Sequence, residues 1–90
     1  MEYRFDDRAL HAEEFLRFVN QVWPGDYDPA RTEEVLRRTI CLTARDNGML
    51  VGCLRILTDG YFFGTITELL VLPEYQRQGI GSALLALAKQ

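Results

Sequence analysis

The sequence predicts one α/β domain over residues 1–90, with elements in the order βααβββα and a largely antiparallel sheet flanked by helices. Hydrophobic residues make up 48% of the 90 residues, and no low-complexity stretch interrupts them, which is typical of one small hydrophobic core. Two stretches near the N-terminus repeat apolar residues at helical spacing, and strand-like runs separated by turn residues follow them. A strand, a glycine-rich turn and a third helical stretch come last.

The N-terminal part predicts a short strand and a first amphipathic helix. Residues 2–6 alternate polar and apolar side chains, which is typical of a half-buried edge strand. Asp6 or Asp7 can cap the helix, and His11 near its start is expected at the surface. The apolar face of the helix is predicted to consist of Ala12, Phe15, Leu16, Val19, Val22 and Trp23.

A second helix is predicted after a turn over residues 24–28. Asp28 is a favourable cap and Pro29 a favourable first residue, and the helix runs to about Arg38. Val35 and Leu36 are expected to face inward.

Three antiparallel strands are predicted next. Residues 40–45 and 49–57 are strand-like, and Asn47-Gly48 between them suits the two positive φ angles of a type I′ hairpin turn. Gly52 indicates a bulge or a close neighbour in the second of these strands. Residues 58–60 form the next turn, and residues 61–72 form the third strand.

Composition and charge exclude several functional classes. The formal net charge is −3 with mixed signs along the chain, so nucleic acid is not an expected partner. Residues 1–20 carry charges throughout and no apolar run approaches the length of a membrane span, so neither a signal peptide nor a membrane partner is expected. Cys41 and Cys53 lack metal-ligand spacing, which predicts reduced core residues, no metal site and a cytoplasmic location.

The C-terminal stretch carries the clearest functional signal. Leu69, Leu70, Val71 and Leu72 form an apolar run that ends at Pro73, and Gln76-Arg77-Gln78-Gly79-Ile80-Gly81 then leads into a helical stretch from Ser82. Glycines without a Cβ allow a phosphate to approach the backbone, and the unpaired N–H groups of a first helical turn point at it. The stretch therefore predicts an anion site.

Other glycine-loop motifs do not fit these residues. A P-loop needs lysine and then serine or threonine after its last glycine, whereas Ser82 and Ala83 follow Gly81. A dinucleotide-binding fingerprint needs a small residue at Leu84. A turn whose glycines serve only the fold is the remaining alternative.

The pattern Gln76-x-x-Gly79-x-Gly81 after an apolar strand and a proline resembles the acyl-CoA-binding core of the GNAT superfamily of N-acetyltransferases. The resemblance implies that the chain transfers an acetyl group from acetyl-CoA to an amine of a small molecule or a protein. The pyrophosphate of acetyl-CoA would lie on the turn, and its pantetheine arm along the strand. The implied pyrophosphate residues are Arg77, Gln78, Gly79, Ile80, Gly81 and Ser82, and the implied pantetheine residues are Leu69, Leu70 and Val71. Gln76, the first residue of the motif, is also an implied cofactor-binding residue.

The resemblance also suggests where the acceptor and the chemistry would lie. In the family, the loop between the first two helices borders the acceptor cleft, so Trp23 and Tyr27 are possible acceptor contacts, although the helical stripe favours Trp23 as a core residue. Backbone N–H groups around residues 70–72 would polarise the thioester carbonyl. Glu68 is the nearest titratable group and is expected to act as a general base, to face solvent or to pair with an arginine on the next strand. No catalytic residue is assigned from the sequence.

The family continues with a further strand and helix after the helix that ends near Lys89. We therefore expect this chain to be a fragment or to be completed by another chain. Self-association would use the open edge of the motif strand or the uncovered face of the final helix, most simply as a two-fold homodimer. The alternative function is a non-catalytic CoA-binding or protein-interaction module with the same fold.

Overall fold

The computed structural model describes residues 1–58 and 64–89. The element order confirms the predicted βααβββα arrangement, with a short 3₁₀ turn added before the last helix. The elements are β1 Glu2–Arg4, α1 Ala12–Val22, α2 Pro29–Arg38, β2 Ile40–Asp46, β3 Met49–Thr58, β4 Gly64–Val71, the 3₁₀ turn Pro73–Tyr75 and α3 Ile80–Ala88. The predicted turn at residues 58–60 and the start of the predicted third strand lie partly outside the described residues.

The four strands form one antiparallel sheet in the order β1-β2-β3-β4. This arrangement confirms the predicted fold class. In the part of the chain that the structure describes, β4 pairs only with β3, so its other edge is open. The strand that leads into the glycine-rich turn is therefore an edge strand.

The helices cover both faces of the sheet. On one face, Arg45 of β2 contacts Glu14 of α1. On the other face, α3 packs so closely that a Cβ placed on Gly52 would lie 3.0 Å from Cγ2 of Ile80 and 3.3 Å from Cδ1 of Leu84. The sheet register also shifts opposite Gly52, between Ala44 and Arg45. Both predicted reasons for a glycine in this strand, a bulge and a close neighbour, are therefore present.

Local turn and cap signals are confirmed where the partners are close in sequence. Asn47 and Gly48 have φ angles of 52° and 85°, as the hairpin turn requires. Oδ1 of Asp28 accepts a hydrogen bond from the backbone N–H of Ala30 at 2.9 Å and so caps α2, with Pro29 as the first helical residue.

The predicted cap of α1 is wrong. The helix begins after His11, whose side chain makes no capping bond. Oε1 of Glu33 on α2 instead accepts the backbone N–H of Ala12 at 2.9 Å, and Oε2 of Glu33 lies 3.3 Å from Nδ1 of His11. A neighbouring helix therefore supplies the acceptor that a residue of the preceding loop was expected to supply.

Two predicted core positions are also wrong. Trp23 is 59% exposed, because α1 ends at Val22 and Trp23 leaves the helical path with φ −130° and ψ 87°. Val35 is 43% exposed, whereas its neighbour Leu36 is buried as predicted. The apolar stripe of α1 therefore stops one residue before the position that its periodicity predicts.

Both cysteines are buried free thiols, at the positions where core residues were predicted. A hydrogen bond with Cys53 lowers the pKa of Cys41 to about 7, and the same hydrogen bond together with burial raises the pKa of Cys53.

Asp7 belongs to a buried ionic network, which we call the Arg45 network (Asp7, Glu14, Thr43 and Arg45). The guanidinium of Arg45 donates to both carboxylate oxygens of Glu14 at 2.7 and 2.9 Å and to Oδ2 of Asp7 at 3.1 Å. Thr43 donates its hydroxyl to the same Asp7 oxygen at 2.8 Å. Burial alone would raise the pKa of Asp7, but the hydrogen bonds from Thr43 and Arg45 outweigh burial and leave that pKa below its ordinary value.

Candidate functional site

The glycine-rich turn connects the end of β4 to the first turn of α3. Helix α3 begins at Ile80, two residues earlier than predicted, after Gly79 with a φ angle of 83°. The first hydrogen bond of the helix runs from the N–H of Ala83 to the carbonyl of Gly79 at 2.9 Å. The N–H groups of Ile80, Gly81 and Ser82 precede that bond and have no acceptor within the helix. They form a set of donors at a helix start.

A groove of about 240 Å³ lies against this turn. It brings together seven of the predicted cofactor residues, namely Val71, Gln76, Arg77, Gly79, Ile80, Gly81 and Ser82. The other three do not line it. Leu70 is buried in the core, Leu69 packs beneath Gly81, and the side chain of Gln78 donates to the carbonyl of Glu74 at 3.1 Å.

The two motif glycines are needed for different reasons. Gly79 needs to be glycine because of its positive φ angle. A Cβ on Gly81 would meet only Cδ2 of Leu69, at an ordinary 3.7 Å, so the fold itself tolerates a small side chain there. Packing does not require a glycine at position 81. Because Gly81 has no side chain, the space above the start of α3 stays open.

The charge on the turn suits an anion. Arg77 is exposed, has a φ angle of 65° and makes no ion pair within residues 1–58 and 64–89. A guanidinium beside free helical N–H groups is a favourable arrangement for phosphate oxygens.

Two hydrogen bonds hold the turn in place. Nε2 of Gln76 donates to the carbonyl of Val71 at 3.0 Å. The hydroxyl of Tyr75 donates to Oδ2 of Asp46, at the end of β2, at 2.7 Å, and this bond and partial burial raise the pKa of Tyr75. The sequence prediction did not include Tyr75, because its partner lies 29 positions away and no local pattern indicates it.

The strand geometry corrects which backbone groups can reach a cofactor beside β4. The N–H of Leu72 donates to the carbonyl of Val51 at 2.9 Å, so it cannot polarise a thioester. In an antiparallel pair, successive residues point their backbone groups to opposite sides. Since Leu72 and Leu70 point toward β3, the N–H groups of Val71 and Leu69 face the open edge.

A second, larger cavity of about 510 Å³ lies between α1, α2 and the sheet, and we call it the aromatic cavity. Its lining includes both possible acceptor residues, Trp23 and Tyr27, together with Phe15, Val35, Arg55 and Glu68. Glu68 accepts a hydrogen bond from Nε of Arg55 at 2.6 Å, so it has the arginine partner that was considered for it. The guanidinium of Arg55 also lies 5.6 Å from the ring centre of Phe15.

The described residues form neither a membrane span nor a metal-binding cluster. No helix among residues 1–58 and 64–89 is both long and apolar enough to cross a membrane. Over the same ranges, no group of three or more His, Cys, Asp or Glu side chains is arranged to hold a metal ion.

Comparison with solved structures places this fold among acetyltransferases. A GNAT family acetyltransferase from Streptococcus pneumoniae TIGR4 is 30% identical with a TM-score of 0.80, over 97% of this chain and 64% of that one. An aminoglycoside 6'-N-acetyltransferase complexed with coenzyme A is 22% identical with a TM-score of 0.78, over 99% and 53%. A ribosomal-protein-alanine N-acetyltransferase from Brucella melitensis biovar Abortus 2308 is 22% identical with a TM-score of 0.73, over 99% and 70%.

This chain therefore spans less than two thirds of the length of the first two of these proteins. A comparison with curated proteins gives no match. The model of the acetyltransferase (GNAT) family matches residues 8–90, which is most of the chain and includes both the turn and the aromatic cavity. The chain belongs to the GNAT acetyltransferase family.

Proposed function

We propose that the protein is an acyl-CoA-dependent N-acetyltransferase that binds the pyrophosphate of acetyl-CoA on the turn from Gln76 to Ser82. The observation that supports this most directly is the set of free N–H groups at the start of α3, beside Arg77 and below the open space at Gly81. The similar aminoglycoside 6'-N-acetyltransferase is complexed with coenzyme A, which agrees with this choice of ligand.

The pantetheine arm would then follow the open edge of β4. The N–H groups of Val71 and Leu69 are donors on that edge. Because Val71 lines the groove proposed for the pyrophosphate, Leu69, further along the strand, would point at the thioester carbonyl. The amine nitrogen attacks the thioester carbon, so that a C–N bond forms, the C–S bond breaks and the CoA thiolate leaves with a proton from solvent. Glu68, on the same strand and facing the aromatic cavity, would accept the proton that the amine loses.

Replacement of Gly81 by valine tests the cofactor site. Valine fills the space above the helix start, so we expect CoA affinity to fall at least about tenfold, that is by about 1.4 kcal/mol. Isothermal titration calorimetry of the wild type and of Gly81→Val with CoA, each in its longest soluble form, measures this change.

Gly64→Val is the matched control, because Gly64 lies at the far end of the same strand and a Cβ there makes only ordinary contacts, the nearest at 3.6 Å. The control should bind CoA as the wild type does. Equal affinity of wild type and Gly81→Val would contradict the assignment. Detection of an acetylated amine by mass spectrometry separates an enzyme from a CoA-binding module.

We also propose a homodimer in which the open edges of two β4 strands pair about a two-fold axis. Backbone groups of Leu69 and Val71 would serve both this pairing and the pantetheine arm, so CoA is expected to convert dimer to monomer. Light scattering with and without CoA measures the change. A monomer in the absence of CoA, at concentrations of tens of micromolar, is the result that would contradict the proposal.

A further inference from the structure

We propose that a further groove, on the α3 side of β4, binds the hydrocarbon chain of an acyl group longer than acetyl, so that the protein transfers medium-chain acyl groups as well as acetyl. We call this space of about 290 Å³ the acyl groove. It is lined by Ile56 of β3, by Gly64, Thr65 and Ile66 of β4, and by Leu85, Ala88 and Lys89 at the end of α3. The proposal rests on the acyl-CoA function above, since it names the class of the acyl donor.

The acyl groove lies at the end of β4 that is farthest from the glycine-rich turn. The pyrophosphate groove adjoins Val71, so a pantetheine arm that follows the open edge from there runs toward Gly64. Ile66 lies three positions past Leu69, the residue proposed to meet the thioester carbonyl, which is about 10 Å along the strand. The acyl chain of a bound cofactor would therefore continue toward this groove.

The distance along β4 determines which acyl groups reach the acyl groove. Three backbone atoms span about 3.5 Å of extended chain, so about 10 Å corresponds to eight or nine chain atoms. An acetyl group ends far short of Ile66, whereas an octanoyl chain is long enough to lie against it. The groove therefore suits an acyl group of medium length.

The walls of the acyl groove are mainly apolar side chains. Ile66 is 46% exposed, and Ile56, Leu85 and Ala88 are partly buried against the core. Apolar surface of this kind favours an apolar ligand, and each methylene that leaves water for it raises affinity by up to about fourfold. An unbranched acyl chain should therefore gain affinity with each added carbon until the groove is full.

The charge on the acyl groove does not call for an anionic group at the end of the chain. No carboxylate among residues 1–58 and 64–89 lines the groove, and Lys89 is its one charged residue in those ranges. Because Lys89 is exposed, an ion pair with its ammonium group contributes little to affinity. A terminal carboxylate would lose water against the neighbouring apolar side chains, so a plain hydrocarbon chain is favoured.

A longer acyl group leaves the bond-making step unchanged. The added carbons lie beyond the carbonyl, so the amine nitrogen still forms the C–N bond, the C–S bond still breaks and the CoA thiolate still takes a proton from solvent. The aromatic cavity lies on the α1 and α2 side of the sheet and the acyl groove on the α3 side. An acceptor in the cavity and a chain in the groove therefore do not compete for space.

A series of acyl chains on the wild type tests the acyl groove. Isothermal titration calorimetry compares CoA, acetyl-CoA, butanoyl-CoA and octanoyl-CoA, without an amine and at one protein concentration. We expect octanoyl-CoA to bind at least about tenfold more tightly than acetyl-CoA, with butanoyl-CoA between them. Suberyl-CoA, which has the same chain length and a terminal carboxylate, should bind more weakly than octanoyl-CoA. Equal affinity for acetyl-CoA and octanoyl-CoA, or tighter binding of suberyl-CoA than of octanoyl-CoA, overturns the proposal.

Ile66→Ser tests whether the chain lies in this groove. Serine removes most of one apolar wall, so the ratio of octanoyl-CoA affinity to acetyl-CoA affinity should fall at least about threefold. Leu57→Ser is the matched control, because Leu57 is 45% exposed on the neighbouring strand but faces α2 and does not line the groove. An unchanged ratio in Ile66→Ser, or an equal fall in both variants, also overturns the proposal.

The affinity for CoA separates this proposal from the proposed function. CoA has no acyl chain, so its binding depends on the turn and the edge of β4, and the Gly64→Val control above does not depend on the acyl groove. Loss of CoA binding would contradict the proposed function itself. Normal CoA binding without any gain from a longer chain would overturn the acyl groove alone, and this comparison on the wild type does not depend on the folding of either variant.

Discussion

The Arg45 network and the glycine-rich turn are both rich in polar groups, but they differ in where those groups are directed. In the network, the guanidinium of Arg45 is met by Glu14, Asp7 and the carbonyl of Gly48, and its side chain is 5% exposed. At the turn, the N–H groups that open α3 have no acceptor within the helix, and Arg77 is exposed and makes no ion pair within residues 1–58 and 64–89. Polar groups that satisfy one another support a fold, whereas grouped and unsatisfied ones at the surface indicate a ligand.

The contrast extends to the whole of the described chain. No buried side-chain nitrogen or oxygen among residues 1–58 and 64–89 lacks a hydrogen-bond partner. Any side-chain donor or acceptor in these ranges that has no partner therefore lies at an accessible position.

Replacement of Arg45 by methionine tests whether the network is structural, and it has the largest expected effect. It removes the cation that Asp7 and Glu14 share and leaves the buried Asp7 with only Arg4, at 3.6 Å. Breaking such a pair is expected to reduce the free energy of unfolding by about 3–5 kcal/mol. Urea denaturation followed by circular dichroism measures the change.

Arg17→Met is the control for this substitution, because Arg17 and Glu13 form an ion pair at the surface of α1. Its expected cost is below about 1 kcal/mol. Equal losses for the two variants would show that the network is not a main support of the fold. Loss of CoA binding by an Arg45→Met protein that remains folded would also weaken the contrast between the two regions.

The parts of the molecule that the sequence predicted depend on residues close together in the chain. Asn47-Gly48 determines its own backbone angles, and the Asp28 carboxylate reaches an N–H two positions away. The motif from Gln76 to Gly81 likewise lies on consecutive residues, so its position at a helix start could be predicted. In each case the residues involved are adjacent or nearly adjacent in the chain, so the covalent structure keeps them close together.

The parts that could not be predicted depend on distant partners or on where an element stops. Glu33 caps α1 from a helix 21 positions away, and Arg45 reaches Asp7 across 38 positions. Trp23 follows the periodicity of α1, so only the end of the helix at Val22 distinguishes it from a core residue. The role of the Leu72 N–H also depends on a distant partner, because the sheet register places it against the carbonyl of Val51, which accepts its hydrogen bond.

Replacement of Tyr75 by phenylalanine has the smallest expected effect and tests how the two regions are joined. The hydroxyl of Tyr75 ties the turn to Asp46 at the end of β2, one residue after Arg45. Without this hydrogen bond the turn is no longer tied to the end of β2. The N–H groups at the start of α3 are then less well positioned for pyrophosphate. We expect CoA affinity to fall about threefold.

The ligand comparison distinguishes positioning of the turn from a general loss of structure. Pantetheine lacks the pyrophosphate, so its affinity should be the same for the wild type and for Tyr75→Phe when both are measured by calorimetry. Asp46→Asn should resemble Tyr75→Phe, because an amide is a weaker acceptor for the hydroxyl than a carboxylate. Tyr3→Phe is the control, since Tyr3 lies on β1 and its hydroxyl has no hydrogen bond in the described part of the chain. If CoA and pantetheine lose affinity equally, Tyr75 acts on the whole edge of β4, and the turn is not a separate binding element.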